Sequence, residues 1–110
     1  MIEVECRIFI KKDKQIYLDQ TKINLLLHIQ QNGSLRSAAK IMGISYQHAW
    51  NLINDMNTVA VEPLIIKQRG GTSGGGATLT SSGLRVLNEY QQIEKQVNVF
   101  VKQINAEINM

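Results

Sequence analysis

Residues 33–57 read Gly33-Ser34-Leu35-Arg36-Ser37-Ala38-Ala39-Lys40-Ile41-Met42-Gly43-Ile44-Ser45-Tyr46-Gln47-His48-Ala49-Trp50-Asn51-Leu52-Ile53-Asn54-Asp55-Met56-Asn57. This stretch resolves into two short amphipathic helices hinged at a glycine. In the first, Leu35, Ala38, Ala39 and Met42 recur at helical spacing, and Ser34 is placed to cap the start. Gly43 suits the left-handed backbone that ends many helices. Ser45 can then cap a second helix, whose inward positions would be Ala49, Leu52 or Ile53, and Met56. Helices so close in sequence must cross sharply, and the small Ala38 and Ala39 permit a close approach. The unit has the length of a helix-turn-helix, in which the second helix enters a DNA major groove.

Before the pair, Asn32-Gly33 stops a helix that Asp19 can cap and that runs to about Gln31, with Ile23, Leu26 and Leu27 on one face beside Leu25 and Ile29. Further upstream, residues 3–10 are rich in strand formers, Lys11-Lys12-Asp13-Lys14 offers a polar turn, and Gln15-Ile16-Tyr17-Leu18 can return, so a small hairpin is expected. After the pair, Pro63 breaks helical continuity and Leu64–Arg69 reads as a short strand. Five of the eight glycines then fall within Gly70–Gly76, and Ala77-Thr78-Leu79 can form the partner strand of a hairpin with a flexible tip. Thr80 or Ser81 can cap a last helix from about Ser82 to Asn105. Along it Val86, Tyr90, Ile93, Val97, Phe100 and Ile104 are spaced 4, 3, 4, 3, 4, a heptad seam. Such a helix is about 36 Å long at 1.5 Å per residue, more than a domain this small covers with its own core, so a second chain is expected to cover the rest.

The expected architecture is mainly α with small β elements: a winged helix-turn-helix with a long C-terminal dimerisation helix. One domain is expected over residues 1–110, with a core at 1–81, the wing at 64–80 and the dimerisation helix at 82–108. The 44% hydrophobic and 19% charged composition excludes a disordered chain. Cys6 is the single cysteine, so no internal disulfide forms. No Cys/His cluster has zinc-ligand spacing, and no metal is expected. Apolar runs are only a few residues long and the N-terminus lacks signal-peptide architecture, which together favour a cytoplasmic protein without a membrane partner.

Formal net charge is +3. Residues 34–85 hold five basic groups (Arg36, Lys40, Lys67, Arg69, Arg85) against two acids (Asp55, Glu62), so the excess lies with the helix pair. The second helix offers an amide-rich face of Gln47, Asn51 and Asn54, with Tyr46 and His48 beside it. Amides donate and accept at once, matching the N6/N7 edge of adenine; the alternative is a solvated polar face. Trp50 is open between core packing and DNA contact. Arg36, Lys40, Lys67 and Arg69 are the expected DNA-backbone contacts, and Ser34 and Ser45 mark helix N-termini whose backbone donors can meet phosphate.

No catalytic residues are expected. Gly70–Gly76 lacks the lysine of a phosphate-binding loop, and no Gly-x-Gly-x-x-Gly opens a helix. His28 and His48 have no cysteine or paired carboxylate at catalytic spacing, and Gly-x-Ser-x-Gly is absent. Two alternatives to a regulator stand beside it: a protein-interaction adapter built on a winged helix, and an oxyanion-binding module using Gly70–Gly76 with Lys67 and Arg69.

The segments Gly33–Ala39, Gly43-Ile44-Ser45-Tyr46, Ala49-Trp50, Ile53–Asn57, the glycine-rich wing and Leu79-Thr80-Ser81-Ser82-Gly83 together resemble the N-terminal winged-helix domain of bacterial molybdate-responsive regulators of the ModE type. The similarity covers about residues 15–105, and LysR-type regulators share the Ala-Ala, Ile-Ser and Leu-Thr-x-x-Gly pattern more distantly. The resemblance implies a homodimer held by its long helices, each recognition helix on half of a palindromic operator in double-stranded DNA. Full-length members carry C-terminal molybdate-binding domains, whereas these residues stop at Met110. Molybdate or tungstate sensing is therefore not expected of them, and a stand-alone regulator, one served by a separate sensor protein and a shortened piece of a longer regulator stand as alternatives.

Overall fold

The computed structural model describes residues 1–67 and 76–110. Its elements run β1 (Ile10–Lys12), β2 (Gln15–Leu18), α1 (Gln20–Asn32), α2 (Leu35–Met42), α3 (Tyr46–Val59), β3 (Ile65–Lys67), β4 (Ala77–Leu79) and α4 (Ser81–Glu107). Each strand pair is an antiparallel two-stranded sheet, β1 with β2 and β3 with β4. This is a winged helix-turn-helix, mainly α with small β elements.

Every helix starts on a side-chain cap that the residue type dictates. Asp19, Ser34, Ser45 and Thr80 accept from the backbone N–H of Lys22, Ser37, His48 and Gly83 respectively, which satisfies donors that the helix itself leaves unpaired. The hinge at Gly43 has φ of 69°. There the Gly43 N–H reaches the Lys40 carbonyl and the Ile44 N–H reaches Ala39, the double closure that a left-handed terminus allows.

The core gathers Ile23, Leu25, Leu26 and Ile29 of α1, Leu35, Ala38 and Ala39 of α2, and Ala49, Ile53 and Met56 of α3. Between the open alternatives at the inner face of α3, Ile53 is buried while Leu52 is half-buried. Leu64, Ile65, Ala77 and Leu79 bring the wing base into the same cluster, and Leu87 and Tyr90 bring α4. Each fully buried Leu, Ile or Met side chain contributes about 1.5–3 kcal/mol on burial. The Ala77 N–H also donates to the Gly33 carbonyl at 3.4 Å, tying the wing to the junction of α1 and α2.

The N-terminal hairpin departs from the sequence expectation. Its first strand lies at Ile10–Lys12, later than residues 3–10, and the turn contracts to Asp13 and Lys14 with φ of 50° and 70°. Two positive φ values in a two-residue loop give the twist that antiparallel strands need. Residues 4–8 instead lie along α4. The Val4 N–H donates to Asn105 Oδ1 at 2.6 Å and its carbonyl accepts from Asn105 Nδ2 at 3.2 Å, while the Tyr90 hydroxyl donates to the Ile8 carbonyl at 3.4 Å.

A second correction concerns the seam on α4. Tyr90, assigned to it by the heptad spacing, is 1% exposed in the chain's own core, and Val86 packs partly against that core. The buried residues of α4 are Gly83, Leu87 and Tyr90. Beyond them Ile93, Val97 and Ile104 are half-buried, and Val99 and Phe100 are 54% and 64% exposed. One periodic stripe thus serves the core at its start and projects past it afterwards. Among the described residues no helix is long and apolar enough to cross a membrane.

Candidate nucleic-acid interface

The side of α3 opposite Ala49, Ile53 and Met56 carries the amides, and Gln47, His48, Asn51 and Asn54 are all exposed. Gln47 Nε2 donates to Asn51 Oδ1 at 3.1 Å, one helical turn on. With that bond made, a second amide hydrogen on Gln47 and its carbonyl oxygen, and the Asn51 amino group, remain outward. A donor–acceptor set held this way is suited to a base edge. Tyr46 departs from the rest of the group. It is half-buried, and its ring lies under the Arg36 guanidinium, 4.7 Å from centroid to Cζ.

Around the helix the basic residues come from separate elements. Arg36 and Lys40 are exposed on the first and last turns of α2, and Lys67 is exposed at the end of β3 with Nζ 5.1 Å from the Trp50 ring centroid. Trp50 is half-buried, packed against the core on one side and meeting Tyr46 edge to face on another. Ser34 and Ser45 act through their hydroxyls as caps, accepting from Ser37 at 3.2 Å and His48 at 3.0 Å. The positive end of the α3 dipole lies at Ser45. Arg69 and Gly70–Gly75 lie outside the described residues. Arg85 turns to its own helix, donating to Ser82 Oγ at 2.9 Å, and Ser82 donates to Glu62 at 2.8 Å.

Asn57, Thr80 and Gly83 set the position of the wing base. Asn57 Oδ1 accepts from the N–H groups of Leu64 and Ile65 at 2.8 and 3.4 Å, and its Nδ2 donates to the Ile65 carbonyl at 3.1 Å. The last turn of α3 is thereby stapled to β3. Thr80 Oγ1 donates toward the Pro63 and Leu64 carbonyls while accepting from the Gly83 N–H. At Gly83 itself a Cβ would overlap the Leu64 carbonyl oxygen, so α4 can begin this close to the wing base only with glycine there. Asn57 closes the 33–57 stretch and Gly83 lies in a segment that carries the family resemblance, and composition alone gives neither a role.

No protein-family model matches the chain. It is 42% identical over 89 residues to the transcriptional regulator ModE of Yersinia pestis, which covers 81% of this chain and 34% of that protein. Against the molybdenum transport protein ModE of Azotobacter vinelandii it is 35% identical over 103 residues, 94% of this chain and 38% of the other. It is 38% identical over 89 residues to the DNA-binding transcriptional dual regulator ModE of Escherichia coli K12. At the level of this one domain, the chain belongs to the ModE family. It spans about a third of the length of the curated relatives it matches. A crystal structure of a LysR family transcriptional regulator superposes with a TM-score of 0.59 at 20% identity, over 79% of this chain and 28% of that one. The likeness establishes the fold shared by the ModE-type domain and the LysR-type regulator.

Proposed function

We propose that this ModE-type domain is a sequence-specific DNA-binding module of a transcriptional regulator that acts as a homodimer on a palindromic operator. One observation carries the reading: an exposed row of amides, Gln47, Asn51 and Asn54, on a helix whose other side is fully buried at Ala49, Ile53 and Met56. An acidic or apolar recognition face, the mark of a protein-interaction adapter, is not what α3 presents. In this reading Gln47, His48, Asn51 and Asn54 face the bases, Tyr46 sits beside them under Arg36, and Arg36, Lys40, Lys67 and Arg69 meet phosphates together with the helix starts at Ser34 and Ser45. Ile93, Val97, Phe100 and Ile104 join the subunits along α4, with Val86 at the edge of the seam.

The test is duplex binding at several salt concentrations. Replacing Arg69 should weaken all duplexes alike and flatten the salt slope by about one unit. Replacing Asn51 should leave the slope intact and relax preference at one base, a discrimination of about 1–3 kcal/mol. Identical behaviour of the two variants would refute this division of labour. Calorimetry with molybdate and tungstate addresses the oxyanion-binding alternative, and no heat is expected.

A further inference from the structure

Arg36, Tyr46, Trp50 and Lys67 come from α2, α3 and β3 and meet in one row. The Arg36 guanidinium is 4.7 Å from the Tyr46 centroid, the Tyr46 and Trp50 rings are 6.3 Å apart at 79°, and Lys67 Nζ is 5.1 Å from the Trp50 centroid. Both cations belong to exposed residues and both rings to half-buried ones. A ring engaged edge to face keeps a π surface available to a cation. An unrestrained Arg or Lys samples many rotamers, and freezing one against a phosphate opposes binding. A cation already resting on an aromatic face has surrendered part of that freedom before DNA arrives. The attraction is also weak enough for a phosphate to share the cation.

We propose that Tyr46 and Trp50 are positioning residues that hold Arg36 and Lys67 at set places on either flank of α3, so that backbone contacts from α2 and from the wing are presented in register with the base-facing amides. The proposal rests on the DNA-binding reading above and deepens it. It assigns Trp50 a role distinct from reading bases, and it makes α3 the element that spaces contacts made by its neighbours.

A double-mutant cycle on the full chain tests it, using Trp50→Leu, Lys67→Gln and the pair, with duplex affinity measured at three salt concentrations. Trp50→Leu should weaken every duplex about two- to fivefold, the range expected for an exposed cation–aromatic contact, with an unchanged salt slope because no charge is removed. Lys67→Gln should flatten the slope by about one unit. In the Lys67→Gln background, Trp50→Leu should have no further effect. With Lys67 in place, Trp50→Phe, which keeps an aromatic face, should retain most of the affinity. Losses that multiply in the pair, or a Trp50→Phe variant as weak as Trp50→Leu at equal helicity and melting temperature, would overturn the proposal and leave DNA binding intact. If Trp50→Leu does not fold, Tyr46→Leu with Arg36→Gln supplies the same cycle at the other end of the row. A wild-type chain with no salt-dependent affinity for any duplex would overturn the DNA-binding reading, and the proposal with it.

Discussion

Adding one methyl group at Gly83 should loosen the joint between the wing and α4. A Cβ there would overlap the Leu64 carbonyl oxygen and lie 3.1 Å from the carbonyl carbon. Non-bonded heavy atoms settle at about 3.5 Å or more, and both partners are backbone, so no side chain can swing aside. Either α4 or the Pro63–Leu64 segment must retreat. Retreat stretches the Thr80 N–H bond to Leu64, 2.9 Å in the native chain, and the Thr80 hydroxyl bonds to Pro63 and Leu64 at 2.6 and 3.2 Å. Overpacking costs about 1–3 kcal/mol, and each of the two weakened donors, the Thr80 N–H and its shared hydroxyl proton, adds about 1 kcal/mol. Against this, alanine is a better helix former than glycine by about 1 kcal/mol. The net expectation for Gly83→Ala is a destabilisation of about 2–4 kcal/mol, or a fall in Tm of about 10–20 °C for a domain of this size. Thermal and urea unfolding followed by circular dichroism measure it. A variant as stable as the wild type, or more so, would show that the packing of α4 on the wing base does not require glycine, and the reasoning would fail.

Asn57→Ala should destabilise the fold by about 2–4 kcal/mol, because it strips partners from the Leu64 and Ile65 backbone groups of two buried residues; a change under half a kilocalorie in urea titrations would contradict the staple. Burial, then the charges of Glu94 and Asp19, push the Tyr90 hydroxyl above its ordinary value of 10.0, and burial does the same to Tyr17. The folded state then holds its proton more tightly than the unfolded chain does. Its stability is complete below that value and should fall as pH rises above about 10. Tyr90→Phe should flatten this alkaline limb, and urea midpoints that do not decline there would count against it. Phe100, 64% exposed on the projecting part of α4, should tolerate Glu without loss of helicity while the variant sediments as a lighter species. Equal sedimentation of variant and wild type would argue against an α4 seam.

The fold was legible wherever the signal was local. A cap residue, an apolar repeat and a left-handed glycine all act within a few residues, which is why α1, α2, α3 and the hinge at Gly43 stand where Asp19, Ser34 and Ser45 place them. The amide-rich face of α3 was equally readable, since helical periodicity alone puts Gln47 and Asn51 on one side, and the structure adds the bond between them. Periodicity could not say where a stripe stops serving its own core. A 4, 3 spacing looks the same at Tyr90 and at Phe100, and only the packing of α4 against the rest of the chain buries one and exposes the other.

By itself the sequence determined the element types, their order, the helix termini and the amide-rich, basic makeup of the helix pair, because these follow from propensity, capping and composition carried by neighbouring residues. Only the tertiary structure decided what distant residues do to each other: Val4 on Asn105, Asn57 on the wing, Leu64 against Gly83, and two cations resting on the rings of α3. Such contacts depend on chain segments meeting in space, with Val4 and Asn105 101 residues apart, and no local pattern encodes which segments will meet.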